Sequence, residues 1–365
     1  MIKRYFDSFV KEIIGRFWRE GCSDFNSRPG FGPTDLVVSV TTRCNFSCPY
    51  CLRSLVDKNK TFIKDLPLSI FETVLKEGRK LNFQGISLTG GEPILHPEFK
   101  KMLAIARREN YHFSIISNAW LYKEYFPFIS EYRSNLRWMV LSLDGVTAEV
   151  HDAVRNKPGS FKKVVEAMKF YKEKNAPVCV NSCITQKNLH QLEELPAFCL
   201  EHGVKGIRIS AIISPYGEKS ANFPADILTE NERSKALEKI SELQKKYWDR
   251  CSIRANPSFI SIPKNQTVGS KTQSVLCPAI INRAIHLDHD GGMLFCCNIY
   301  KECEKKPLVG EIGFEKSYQI TKKVAEAIRE KFLLIYRSGN FRENYRICDF
   351  CNENVGACLD SALRD

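Results

Sequence analysis

Three cysteines stand at C-x3-C-x2-C spacing in Cys44-Asn45-Phe46-Ser47-Cys48-Pro49-Tyr50-Cys51, directly after the apolar run Asp35-Leu36-Val37-Val38-Ser39-Val40. Three thiolates can hold three irons of a 4Fe-4S cluster and leave the fourth iron open. An iron with a free coordination position is where a substrate or cosubstrate binds, so the spacing points to a reactive cluster. A second cysteine set follows at Cys277, Cys296, Cys297, Cys303, Cys348, Cys351 and Cys358. Disulfide scaffolds belong mostly to small secreted domains. Fifteen cysteines in 365 residues with no secretory h-region therefore favour a reducing, cytoplasmic setting and bound metal.

The elements that must position these thiols show in the hydrophobic rhythm. Apolar, β-rich runs at 35–40, 85–89, 112–117, 138–143, 177–184 and 206–212 alternate with helical patterns near 67–80, 97–109, 121–132, 160–174 and 189–202. Runs such as Val140-Leu141-Ser142-Leu143 suit a parallel sheet, with helices as crossovers. Six β/α units predict an α/β fold, a partial (β/α)6 barrel over 35–250. In such folds chemistry gathers at the C-terminal ends of the strands. There stand the cysteine loop, Gly90-Gly91-Glu92-Pro93, Ser117-Asn118 and Ser142-Leu143-Asp144-Gly145. Two glycines allow close approach of backbone to a ligand, and a carboxylate beside them can accept from a ligand ammonium.

Taken together, the cysteine loop and these strand ends resemble the radical S-adenosylmethionine superfamily over roughly residues 35–250. The resemblance implies that Cys44, Cys48 and Cys51 ligate a 4Fe-4S cluster whose fourth iron chelates the methionine end of S-adenosylmethionine. By the same resemblance Tyr50 lies near the adenine, and the Gly90, Gly91, Glu92, Pro93 turn holds the methionine ammonium. Ser117, Asn118, Ser142 and Asp144 are ribose or nearby contacts. Arg155 neutralises the methionine carboxylate, against the alternative of a solvated helix-end charge. One electron then cleaves the sulfonium, and a 5′-deoxyadenosyl radical abstracts a substrate hydrogen, with a flavodoxin- or ferredoxin-type protein as electron donor. Cys179, Cys183 and Cys199 read as small buried hydrophobes.

Beyond residue 250 the strand-helix rhythm stops. Ile285-His286-Leu287-Asp288 and Met293-Leu294-Phe295 read as a β-hairpin around Asp290-Gly291-Gly292, and a helix is expected near 321–338. C-x13-G-x4-C followed by a distant C-x2-C resembles the auxiliary-cluster extensions called SPASM and twitch. Too few cysteines follow Cys351 for a full SPASM domain, so residues 251–365 are expected to form a small α+β twitch-like extension. The resemblance implies one auxiliary 4Fe-4S cluster on Cys277, Cys296, Cys348 and Cys351, with Cys303 or Cys358 as substitutes. A structural zinc on the same thiolates is the alternative. In related sulfatase-maturing enzymes an aspartate base follows the second auxiliary cysteine; here Cys297 stands there.

Residues 1–20 alternate Ile2, Tyr5, Phe6, Phe9, Val10, Ile13, Ile14, Phe17 and Trp18 with a basic face, an amphipathic helix that either docks on the body or meets anionic lipid. Residues 21–34 read as a linker. No apolar run approaches the length of a membrane span. The net charge of +12 favours acidic partners. The reading placed first is oxidation of a small sugar, nucleotide or lipid-linked substrate. The second is modification of a ribosomally made peptide, through a separate recognition protein because about 34 residues precede the first strand. The third is a non-enzymatic zinc or iron-sulfur protein that binds nucleic acid, which the motifs disfavour.

Overall fold

A computed structural model describes residues 35–51, 63–212, 226–259, 284–296, 306–338 and 347–364. The expected N-terminal helix and linker, and Cys277, Cys297 and Cys303, lie outside the described residues.

Among the described residues nine strands form one sheet in the order β7-β6-β5-β4-β3-β2-β1-β8-β9. They are β1 Asp35–Thr41, β2 Gly85–Gly90, β3 His112–Ser117, β4 Leu136–Ser142, β5 Val178–Ile184, β6 Gly206–Ala211, β7 Ser252–Ala255, β8 Ala284–Leu287 and β9 Met293–Leu294. Every neighbouring pair is parallel except β8 and β9. Helices α1 Leu68–Lys80, α2 Phe99–Arg108, α3 Tyr122–Glu131, α4 Ala148–Arg155, α5 Ser160–Glu173, α6 Leu195–Glu201 and α7 Glu230–Lys246 supply the crossovers. The expected partial (β/α)6 barrel is present, with strands added at both edges.

Period-2 alternation decides which side of the sheet is apolar. Leu36, Val38, Val40, Ile86, Leu88, Phe113, Ile115, Val180, Ile207 and Ile209 share one core with residues from the helices. In α2, Phe99, Met102, Leu103 and Ala106 recur at i, i+3, i+4 and i+7 and are buried. Each such large side chain contributes about 1.5–3 kcal/mol by leaving water. The intervening residues, among them Ser39, Ser87, Ser114, Asn181, Arg208 and Arg254, face the inner side of the partial barrel and are mainly polar.

Three departures from the sequence reading have physical causes. The strand-helix rhythm continues past residue 250 into β7, a strand too short to show a period. The hairpin at 285–295 forms, with His286 opposite Leu294 and Leu287 opposite Met293. It does not stand apart, because β8 also pairs with β1, Leu36 opposite Ile285. That pairing covers an edge that β1 would otherwise leave open, and local pattern cannot reveal a partner so distant in sequence. The eight-residue α4 is likewise too short to announce itself by periodicity.

The C-terminal part contains α8 Val309–Ile312, α9 Phe314–Ser338 and α10 Ile347–Arg364. α9 begins at residue 314, before the expected 321. Phe314 and Tyr318 belong to the main core. Phe295, Ile320, Val324, Ile328, Phe332, Phe350, Val355 and Leu359 form a second, smaller core. Among the described residues no helix is long and apolar enough to cross a membrane.

Candidate functional site

The site is built where β1 and β2 end side by side. The N–H of Gly91 donates to the Thr41 carbonyl at 2.7 Å and that of Glu92 to the Arg43 carbonyl at 2.7 Å. A Cβ on Gly91 would lie 1.9 Å from the Arg43 oxygen. Gly90, at φ +121°, would place one 2.4 Å from the Thr41 oxygen. The two glycines therefore let the turn close against the entry to the cysteine loop.

Glu92 has no exposed surface. Its carboxylate accepts from Ser117 Oγ at 2.7 Å, from the Asn118 N–H at 2.8 Å and from the Tyr125 hydroxyl. Burial raises its pKa, and the donors from Tyr125, Asn118 and Ser117 oppose the shift. The carboxylate thereby ties the end of β2 to the end of β3 and to α3. Ser117, 2% exposed, also accepts from the Ala119 N–H and is likewise turned inward. Pro93 is buried and opens the 3-10 turn Pro93–Leu95.

Asn118 does face the cysteine loop. Its Nδ2 donates to Asn45 Oδ1 at 2.7 Å and lies 4.0 Å from Cys44 Sγ. Its Oδ1 accepts from the Trp120 N–H at 2.9 Å. Between them Ala119 sits in the left-handed region, φ 66°, a conformation an alanine adopts only where surrounding structure enforces it.

From the end of β4, Asp144 joins three elements. Its Oδ2 accepts from Arg155 Nη1 at 2.8 Å and from the Tyr50 hydroxyl, while Oδ1 accepts from the Cys183 N–H at 2.7 Å. Arg155 ends α4 and is 8% exposed, which excludes a solvated helix-end charge. Its Nη1 also donates to Tyr50 at 3.1 Å, and its Nε is buried with no hydrogen-bond partner among the described residues. His151, one turn earlier, accepts the Asp144 N–H at Nδ1, and burial holds its pKa down to about 4. Ser142, half-buried, ends β4 on the inner face. Burial pushes the Cys48 thiol up to about 11, with Arg155 opposing and Cys51, Asp144 and Cys44 adding to the rise.

Phe46, inside the cysteine loop, meets Trp120 edge-on at 5.8 Å between centroids. Lys157 Nζ stands 4.6 Å from the Trp120 centroid and 5.7 Å from that of Phe46, and Arg155 stacks over Phe46 at 5.6 Å. Asp152 fixes this approach by accepting the N–H groups of Gly159 and Phe161 and the Ser160 hydroxyl. The sequence reading missed Phe46, Trp120, Lys157, Tyr125 and His151. Only the position of Phe46 between the cysteines offered a signal for any of them.

Cys179, Cys199 and Cys251 are buried within the sheet and its helices. Cys183 departs from the expectation of a buried hydrophobe: it is half-buried on the inner face, with its backbone on Asp144. In the smaller core, Cys296 and Cys348 pack against a cluster that contains Cys351 and Cys358. Three of the four expected auxiliary ligands thus belong to that core or border it, and Cys277 lies outside the described residues. Three thiols on one loop, an amide directed at them and a buried guanidinium with an unused Nε fit a cluster whose open iron takes an anionic chelating ligand.

Residues 38–199 match the family model of the radical SAM superfamily. The chain thus carries a radical SAM domain over those residues, and that domain implies a 4Fe-4S cluster and S-adenosylmethionine as cofactors. Among curated proteins it is similar to the PqqA peptide cyclase of Gluconobacter oxydans, 26% identical over 179 residues, 49% of either chain. The chain thus spans about half the length of that relative. It is also 24% identical to a probable GTP 3′,8-cyclase of Sulfurisphaera tokodaii over 317 residues, 81% of this chain and 93% of that one. Among solved structures, native anSMEcpe with bound AdoMet and the Cp18Cys peptide shares the fold at TM-score 0.62 and 17% identity, covering 91% of this chain and 100% of that one.

Proposed function

We propose that this chain is a radical SAM enzyme that carries out a net oxidation on a peptide substrate. The observation that carries the radical reading is the meeting of Cys44, Cys48 and Cys51 with Asn118 and the Tyr50–Asp144–Arg155 cluster at the strand ends. Peptide is favoured over the small molecules placed first by sequence because the PqqA peptide cyclase and peptide-bound anSMEcpe are among the similar proteins. When held by Cys44, Cys48 and Cys51, the cluster with S-adenosylmethionine would supply radical hydrogen abstraction, and an auxiliary cluster would supply an acceptor for the electron of a net oxidation.

The chain's own residues position and shield. Arg155 is poised to pair through Nε with a ligand carboxylate, and Tyr50 and Asp144 hold it there. Phe46, Trp120 and Lys157 close one side of the cysteine loop to water. The turn of Gly90, Gly91, Glu92 and Pro93 is proposed to meet a ligand ammonium. Cys277, Cys296, Cys348 and Cys351 are proposed to hold the auxiliary cluster in a twitch-like unit over 251–365. A flavodoxin- or ferredoxin-type protein is proposed as electron donor, and residues 1–20 as a peripheral membrane contact. A nucleotide substrate is the second reading, favoured by the likeness to the GTP 3′,8-cyclase.

Anaerobically reconstituted protein should be brown and release 5′-deoxyadenosine from S-adenosylmethionine under reduction. Zinc in place of iron, with no cleavage, would overturn the proposal. A peptide encoded beside the gene should emerge dehydrogenated or cross-linked by mass spectrometry; turnover of a nucleotide instead would favour the second reading.

A further inference from the structure

Lysines cap a line of aromatic rings that runs outward from the cysteine loop. Phe46 lies between Cys44 and Cys48 and meets Trp120 edge-on, and Lys157 Nζ stands 4.6 Å from the Trp120 centroid. At the start of α3, Lys123 and Lys163 both reach the Tyr122 ring, at 5.8 and 6.0 Å. Phe170 of α5 links Tyr122 to Phe126 through edge-on contacts at 5.4 and 5.2 Å, and Lys174 stands 5.5 Å from the Phe126 centroid. Lys123 and Lys174 are exposed, while Lys157, Lys163, Trp120, Phe126 and Phe170 are half-buried. The strip therefore lies on the helix layer, whereas a substrate that meets the strand-end residues approaches the inner face.

A ring face attracts an ammonium group without cancelling its charge. Lys163 also pairs with Glu166 at 3.5 Å. Lys123, Lys157 and Lys174 form no ion pair among the described residues, although Glu124 and Glu173 adjoin two of them in sequence. The strip thus holds part of the net charge of +12 unneutralised. Half-buried rings give a docking partner its anchors, and cations around them steer an acidic partner and fix its register. We propose that this strip is the docking surface of the reductant, an acidic electron-transfer protein of the flavodoxin or ferredoxin class. Docked there, beside the outer wall of the cysteine loop, the donor gives up one electron and a cluster on Cys44, Cys48 and Cys51 gains it. The docking surface rests on the radical reading given above and adds the face at which the donor arrives.

The test uses the full chain, anaerobically reconstituted and titrated calorimetrically with a plant-type ferredoxin and separately with a flavodoxin. At least one should bind saturably, and more weakly as salt rises. Lys123→Glu/Lys174→Glu should weaken that binding about tenfold and flatten its salt dependence. Lys235→Glu, at an exposed position on α7, should leave it unchanged. In the unsubstituted protein the bound donor should slow acetylation of Lys123, Lys157 and Lys174 but not of Lys235, read by peptide mass spectrometry, which keeps the test decisive if a variant folds poorly. No saturable binding, an equal loss in Lys235→Glu, or unprotected lysines would overturn the docking surface. So would phosphatidylserine vesicles that shield these lysines when neither donor does. Dithionite needs no docking, so the double variant reduced with it should still release 5′-deoxyadenosine. Failure of the unsubstituted protein to release it would overturn the radical reading instead.

Discussion

Arg155 Nη1 donates to Asp144 Oδ2 at 2.8 Å, with the two side chains 10% and 1% exposed. The pair ties the end of α4 to the end of β4 and, through the Tyr50 hydroxyl, to the cysteine loop. Removing one member of a buried pair strands the other charge at a cost of about 3–5 kcal/mol. Arg155→Met should lower the urea-unfolding free energy by that order. Adding Asp144→Asn should cost less than the sum of the two single changes, because no buried charge is then left alone. Additivity within error would mean that the two side chains act independently.

Glu92 depends on its donors. Tyr125→Phe removes one hydroxyl from a fully buried carboxylate and should destabilise the protein by about 1–3 kcal/mol in chemical denaturation. A change indistinguishable from zero would show that Ser117 and Asn118 satisfy the carboxylate alone.

Gly91 has no room for a methyl group, since the obstructing atom is the Arg43 carbonyl oxygen and not a movable side chain. Gly91→Ala should cost at least about 1–3 kcal/mol and weaken S-adenosylmethionine retention, measured by equilibrium dialysis. Gly159→Ala, where no described residue lies within 4 Å of the added carbon, carries only the strain of its positive φ and should leave that retention unchanged.

His151 and His286 are both held down to about 4 by burial, against about 6.5 in an unfolded chain. The unfolded state therefore takes up protons that the folded state refuses. Their contribution is present above about pH 6.5 and is lost as pH falls toward 4, by up to about 1.4 kcal/mol per pH unit for each histidine. In urea midpoints taken across that window, His286→Gln should show a shallower decline than the unsubstituted protein. Identical slopes would contradict the assignment of His286, whose Nε2 meets Ser39 Oγ at 2.9 Å and whose Nδ1 is buried with no partner among the described residues.

Two 4Fe-4S clusters amount to about eight irons per chain. Cys44→Ala/Cys48→Ala/Cys51→Ala and, separately, Cys348→Ala/Cys351→Ala should each leave about four irons per chain by colorimetric assay. Full iron in the second variant would remove the auxiliary cluster from the proposal.

The strand-end architecture was legible because a parallel sheet with helical crossovers imposes its period on the chain. All six central strands lie within two residues of where alternation and apolar runs put them. The cysteine loop was legible because its chemistry depends on local spacing. β7, α4 and the pairing of β8 with β1 were not: the first two are shorter than a reliable period, and the third joins segments far apart in sequence.

The sequence by itself determined the three thiols, the parallel α/β scaffold and the residue types gathered at its strand ends. Only the tertiary structure decided which way those side chains turn. It sent Glu92 and Ser117 inward, drew Arg155 out of solvent onto Asp144 and Tyr50, and set Lys157 over the Trp120 ring beside the cysteine loop. Spacing along a chain fixes a residue's place on its own element, whereas burial and hydrogen-bond partners depend on what the neighbouring elements bring, and that is settled only when they pack.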